Sequence, residues 1–238
     1  MGIGRPRANG GRSWILAAAL SAVICGCGGA EERPAPAPPP DRPLGARVFP
    51  MDAAPVLDDP GREAWQRPDE VIAALAVRPG QQIADVGCGT GYFTLRLLRA
   101  AAPGGRVIAV DIQQGMLDLL EKRLGPAEKG LVVLRKSPPD RPLLPGDAVD
   151  LVLCANTLHE VDDADQARFV ESMAAALGPG GRLAAINWLP SRTRLGPPVA
   201  QRISQARMRE LAAGAGLTLA EDLDILPMHS FLVFRKPK

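Results

Sequence analysis

The sequence is poor in aromatic residues: one Tyr, three Trp and five Phe make up 4% of 238 residues. Side chains that stack unpaired bases are therefore scarce, which disfavours single-stranded nucleic acid as a partner. Charge of either sign is not in excess, with 28 Lys and Arg against 26 Asp and Glu. Arg5, Arg7 and Arg12 precede Cys27 with no acid among them, so a chain beginning at Cys27 keeps 25 basic residues against the 26 acids, a net of −1. No nucleic acid bound through net charge is expected. Beyond the N-terminal region only Cys88 and Cys154 remain, too few for a disulfide framework, and both read as buried free thiols rather than a bridge or a metal site. The apolar run Trp14 to Ile24, broken only by Ser21, is about 11 residues and falls short of the roughly 20 that a membrane span needs. What is abundant is apolar residue, 46%, enough for a sizeable core. At roughly 150 residues per domain, the length predicts one globular domain with appendages.

The first appendage reads as an address. Arg5, Arg7 and Arg12 ahead of the apolar run give the layout of a secretory signal. The run ends Ile24-Cys25-Gly26-Cys27, which resembles a bacterial lipobox with a branched apolar residue at −3 and a small residue at −1. Cys27 fits as the lipidated residue because Gly26 precedes it, whereas Cys25 follows Ile24. Residues 1–26 are therefore expected to be a lipoprotein signal peptide, removed before Cys27. Residues 27–50 read as a tether, because Ala30 to Pro43 carries Pro34, Pro36, Pro38, Pro39, Pro40 and Pro43 and such a stretch favours extended polyproline conformations over core packing. A domain over 51–238, lipid-anchored in the cell envelope, is the expectation. The alternative is translation from Met51 and a cytoplasmic protein.

The body alternates strand and helix patterns. Gln82 to Gly87, Arg106 to Asp111, Leu131 to Arg135, Val149 to Ala155 and Arg182 to Trp188 read as buried strands. Between and around them, Asp69 to Val77, Tyr92 to Ala102, Gln114 to Leu124, Ala164 to Leu177 and Ile203 to Ala213 read as helices. Gly178-Pro179-Gly180-Gly181 reads as a helix stop, and Leu217 to Leu226 with Phe231 to Lys236 as a terminal strand pair. Apolar strands alternating with helices predict a doubly wound α/β fold with a parallel sheet covered on both faces. Ligands on such sheets bind beyond the carboxyl ends of the strands.

At one such end lies Gly87-Cys88-Gly89-Thr90-Gly91, after a strand and before a helix, where glycines permit a tight turn and close backbone approach. The dinucleotide fingerprint places its third glycine three positions after the second. That position is Tyr92, and the third glycine comes one place early. Asp85 adds a second argument, since a carboxylate two residues before the loop repels a pyrophosphate but suits a ligand bearing an ammonium and a sulfonium. Asp111 closes the second strand, where an acid accepts hydrogen bonds from ribose hydroxyls.

With those residues in view, DVGCGTGYFT, AVDI, VDLVLCANTLHEV and LGPGGRLAAINW resemble the successive motifs of class I S-adenosylmethionine-dependent methyltransferases, from about Arg62 to Lys238. The resemblance implies a Rossmann-like seven-stranded sheet of order 3-2-1-4-5-7-6 with its last strand antiparallel. It implies S-adenosyl-L-methionine as cofactor, with Asp85, Gly87 and Asn156 near the methionine moiety. Gly89 and Gly91 would lie under the nucleoside, with Cys88 a small residue between them, Asp111 on the ribose and Ile112 against the adenine. One departure is that many relatives carry an Asp directly after the third strand to meet the adenine amino group. Here the chain reads Arg135-Lys136-Ser137-Pro138-Pro139-Asp140.

His159, on the same edge, is the candidate general base, because an imidazole titrates near neutrality; the plainer reading is a histidine bonded to nearby backbone or a carboxylate. Arg192, Arg194 and Arg202 read as a solvated loop, with an anionic substrate as the alternative. The expected function is methyl transfer to an unidentified small molecule. Two alternatives stand beside it: a noncatalytic envelope module that binds an adenosyl ligand, and an NAD-dependent oxidoreductase. Export sits awkwardly with a charged cofactor made in the cytoplasm, which does not cross a bilayer readily.

Overall fold

A computed structural model describes Met1, residues 48–191 and residues 195–238. The signal peptide, Cys27, most of the tether, Arg192 and Arg194 lie outside the described residues.

Seven strands form one sheet in the order β3-β2-β1-β4-β5-β7-β6. They are β1 (Gln82–Val86), β2 (Arg106–Asp111), β3 (Val132–Lys136), β4 (Val149–Ala155), β5 (Leu177–Trp188), β6 (Thr218–Leu223) and β7 (His229–Arg235). Neighbours from β3 through β5 are parallel, and β7 runs antiparallel to both β5 and β6. The expected order and the antiparallel last strand are both present. Strand alternation sends Ile83, Leu151 and Leu153 to one face and Ala84, Val152 and Cys154 to the other, each face carrying its own apolar layer.

The helices are α1 (Arg62–Gln66), α2 (Pro68–Leu75), α3 (Thr94–Ala100), α4 (Gln114–Arg123), α5 (Pro126–Lys129), α6 (Gln166–Ala176) and α7 (Gln205–Gly214). The first layer takes Val71 and Leu75 of α2, Leu97 of α3, and Leu117 and Leu120 of α4. The second takes Phe169, Val170 and Met173 of α6 with Met208 and Leu211 of α7. α2 begins as its sequence dictates, with Pro68 in the first turn beside Asp69 and Glu70, where a missing N–H costs nothing and acids meet the helix dipole. Among the described residues no helix is long and apolar enough to cross a membrane.

Two segments depart from the pattern reading. Gly178 to Gly181 do not precede the fifth strand but belong to it: α6 stops at Ala176, and β5 bulges between its pairs Val149↔Leu177 and Leu151↔Arg182. Gly180 N–H donates to Lys236 O at 3.1 Å and Lys236 N–H to Gly181 O at 2.9 Å, so the bulge stays paired. Residues 51–66 carry no strand or long helix signal, yet they form a 3-10 helix over Met51–Asp58 and then α1, and this segment reaches the ligand edge.

Candidate functional site

The site is built on the carboxyl ends of β1, β2 and β4. Past Val86 the chain turns at Gly87, φ +71°, and its N–H donates to Val110 O at 2.8 Å, so the loop is pinned to β2. Gly89 and Gly91 also hold positive φ, and a Cβ on Gly91 would stand 2.3 Å from Leu120 Cδ1. These positions need glycine for both conformation and room.

Asp85 lies under the loop, 3% exposed. Burial pushes its carboxyl up to about 6, against the Thr94 hydroxyl, which donates to Asp85 Oδ2 at 2.6 Å, and against the Arg62 charge. A bound cation would draw that pKa back down. Asp111 is also buried and its carboxyl raised for the same reason, even though each oxygen accepts a backbone N–H: Oδ2 from Gly89 and Oδ1 from Gln113, both at 2.9 Å. A carboxylate has about four acceptor sites, so each oxygen keeps one for a ribose hydroxyl.

Two compartments open here, and Gly87, Asp111, Thr157 and Glu160 line both. The first adds Asp85, Cys88, Gly89 and Asn156 with Arg62 of α1 and Phe49 of the leading segment. The second sets Val48, Ile112, Pro139 and Phe169 beside Ser137 and the acids Asp162 and Asp165. Ile112 thus stands beside the ribose position in a compartment of mixed lining. Asp140 does not reach it: its carboxylate pairs with Arg168 at 3.2 Å and Arg141 at 3.7 Å. Ser137 and Pro139 are what the third strand presents there instead.

Arg62 is the functional residue that pattern reading misses. It is 9% exposed and its guanidinium lies 3.9 Å from the Tyr92 ring. One arm donates to Leu57 O at 2.7 Å, while Nε is buried without a partner. Burial draws its pKa down to about 10, so it stays charged at neutral pH. Tyr92, where the dinucleotide fingerprint would have glycine, is the ring beneath that cation. The leading segment is strapped over the loop by Gln113 Nε2 donating to Phe49 O at 2.9 Å and by Arg123, which donates both to Asp58 Oδ1 of that segment and to Thr90 O of the loop.

These residues are of the kinds S-adenosylmethionine requires: Asp85 would suit its positive charge, the buried Arg62 its carboxylate, Asp111 its ribose diol and the compartment beside Ile112 its purine. A pyrophosphate has no place beside Asp85. Asn156 (φ 56°) turns at the end of β4 and donates from Nδ2 to Gln66 Oε1 at 2.9 Å, which joins the methionine end to α1. His159 is on this edge, 6% exposed in the 3-10 turn Leu158–Glu160, and is not among the residues lining either compartment, whereas Glu160 lines both. Arg202 holds its own loop rather than a substrate, donating to the carbonyls of Pro197, Leu189, Ser191 and Leu195 at 2.6 to 3.0 Å. Cys88 and Cys154 are free and buried, with thiols raised by desolvation. Among the described residues no group of three or more His, Cys, Asp or Glu is placed to hold a metal.

A family model for a methyltransferase domain matches residues 83–181. A demethylmenaquinone methyltransferase from Symbiobacterium thermophilum is 37% identical over 128 residues, 50% of this chain and 47% of that protein. A ubiquinone/menaquinone biosynthesis C-methyltransferase from Vibrio campbellii is 30% identical over 164 residues, 67% of this chain and 59% of its own length. The chain therefore spans about half the length of these curated relatives. The structure of a SAM-dependent methyltransferase from Aquifex aeolicus superposes with a TM-score of 0.71 at 25% identity, over 79% of this chain and 99% of that one. Residues 83–181 thus match a methyltransferase domain, the fold is that of an S-adenosylmethionine-dependent methyltransferase, and these relatives imply S-adenosylmethionine as the cofactor.

Proposed function

We propose that the chain transfers a methyl group from S-adenosylmethionine to a small-molecule acceptor while anchored by lipid on Cys27. The observation that carries the first half is the pairing of a buried carboxylate, Asp85, with a buried cation, Arg62, in one compartment. That pair suits a zwitterionic amino-acid tail and opposes a pyrophosphate. The cofactor supplies an electrophilic methyl on a sulfonium. The chain's part is alignment: the glycine loop and Asp111 would hold the nucleoside, and Asp85 and Arg62 the tail. His159 remains the base proposed for an acceptor that must lose a proton, acting beside Glu160, whose Oε1 is 4.0 Å from His159 Nε2.

Calorimetry tests the cofactor half. S-adenosylmethionine and its demethylated product should both bind, and NAD should not; equal or tighter NAD binding refutes the reading. Binding without any turnover, when the protein is supplied with the small molecules that co-purify with it, would leave the envelope binding module instead.

The address rests on the order of basic region, apolar run and Ile24-Cys25-Gly26-Cys27. Full-length protein made in a bacterium should incorporate labelled palmitate and fractionate with membranes. Cys27→Ser should abolish the label and Cys25→Ser should leave it. A soluble product whose mapped N-terminus is Met51 would end the anchored reading without touching the cofactor.

A further inference from the structure

If the first compartment takes the amino-acid tail, the second takes the purine, since Asp111 at the ribose position lines both. An adenine carries an exocyclic amino group with two N–H donors, and a buried donor needs an acceptor. The backbone around this compartment has few acceptors to spare. Val110 O accepts from Gly87 and Cys88, Asp111 O from Ser137 and Thr157 O from Glu160, at 2.8 to 3.0 Å.

The end of β3 is poorly equipped to grip a purine edge. The Ser137 N–H is spent on Asp111 O, and Pro138 and Pro139 have no N–H to give. The carboxylate that follows, Asp140, is turned to Arg168 and Arg141. What this wall keeps is the Ser137 hydroxyl.

The opposite wall is the start of α6. Val161 and Phe169, 4% and 3% exposed, are its apolar part, and Asp162 and Asp165 stand between them in the chain. Asp162 O accepts the N–H of Asp165 at 2.8 Å and of Gln166 at 3.1 Å, which turns the chain into the helix. Asp165 is the residue at which α6 is capped, a place where an acid ordinarily accepts from the first free N–H groups of the helix. Its carboxylate makes no such bond, and it has no ion pair or side-chain hydrogen bond among the described residues. It is nonetheless half-buried and lines the compartment. Nor do these acids make a metal site, since no group of three or more His, Cys, Asp or Glu among the described residues is placed to hold one. Asp165 is thus an acceptor with no work inside the protein, on the wall facing the end of β3.

We propose that Asp165 reads the purine: its carboxylate accepts an N–H of the adenine amino group, so that this group is recognised from the start of α6 rather than from the end of β3. The proposal rests on the methyltransferase reading above. An ionised carboxylate only accepts, so it favours a purine that bears a donor at this position over one that does not.

The test is calorimetry on the full-length protein with S-adenosylhomocysteine and with its analogue carrying hydrogen in place of the adenine amino group. The wild type should bind S-adenosylhomocysteine at least about tenfold more tightly than the analogue, as a hydrogen bond to a charged acceptor requires. Asp165→Ala should erase that preference by weakening S-adenosylhomocysteine while the analogue stays within about twofold of its wild-type affinity, which also shows that the variant is folded. Asp165→Asn keeps the volume and one acceptor oxygen without the charge, and its preference should fall between the two. Asp162→Ala should keep the wild-type preference. A wild type that does not distinguish the two ligands overturns the proposal, as does an undiminished preference in Asp165→Ala or a preference lost in Asp162→Ala. Should Asp165→Ala not fold, Asp165→Asn decides, and an undiminished preference there overturns the proposal too. Equal binding of both ligands leaves the methyltransferase reading standing, whereas failure of the wild type to bind either overturns that reading and the role of Asp165 with it.

Discussion

Asp111→Ala should weaken binding of S-adenosylhomocysteine by at least about 10²-fold. Two ribose hydroxyls donating to an ionised acceptor are worth roughly 1.5 to 3 kcal/mol each, and about 1.4 kcal/mol is a factor of ten. The carboxylate also holds the site's shape, because its two oxygens accept from Gly89 and Gln113 on either side of the nucleoside position. Removing it frees both loops, which adds to the loss of binding. Stability should respond less than affinity. Burial already raises the Asp111 carboxyl, so deleting it relieves a desolvation cost while it removes two backbone partners. Asp111→Asn keeps one acceptor oxygen and the volume, and should fall between the wild type and Ala. Calorimetry with thermal melts separates the two effects. Affinity within threefold of wild type would mean that the ribose is held elsewhere.

The central strands were legible because they are buried on both faces and read as apolar runs, IADV in β1 and LVLC in β4 being the plainest cases. The glycine loop with Asp85 and Asp111 was legible because the chemistry depends on spacing along the chain. Arg62 was not. A lone arginine ahead of a helix reads as surface, and it is buried only because a five-residue helix, Leu57 and Tyr92 converge on it in space. His159 lies on the edge where the pattern places it, in a 3-10 turn of three residues whose Glu160 lines both compartments. At 178–181 glycine serves a helix stop and a strand bulge equally well, so composition alone could not choose between them.

Gly87→Ala should abolish cofactor binding and lower the melting temperature by roughly 6 to 12 °C, about 3 kcal/mol in a domain of this size. Two costs combine. At φ +71° an L-residue gives up about 1 to 2 kcal/mol. The new Cβ would also stand 2.1 Å from Thr157 Oγ1, 2.3 Å from its Cγ2 and 2.7 Å from its Cβ. Thr157 has no easy retreat, because its hydroxyl donates to Ala155 O at 3.1 Å or Val86 O at 3.2 Å, and turning the side chain leaves its Cβ in place. The turn that carries Glu160 must therefore shift, and both compartments are lined by that turn and by Gly87 itself. Gly80→Ala isolates the first cost: it has φ +84° with nothing within 4 Å of the added Cβ, at the opposite end of β1. It should lose about 1 to 2 kcal/mol of stability and bind S-adenosylhomocysteine as the wild type does. Pairing Gly87→Ala with Thr157→Gly removes the overlap and should recover binding in part, while Thr157→Ala should not, since the 2.7 Å contact to Cβ survives it. Wild-type binding by Gly87→Ala would mean that the loop does not approach the cofactor.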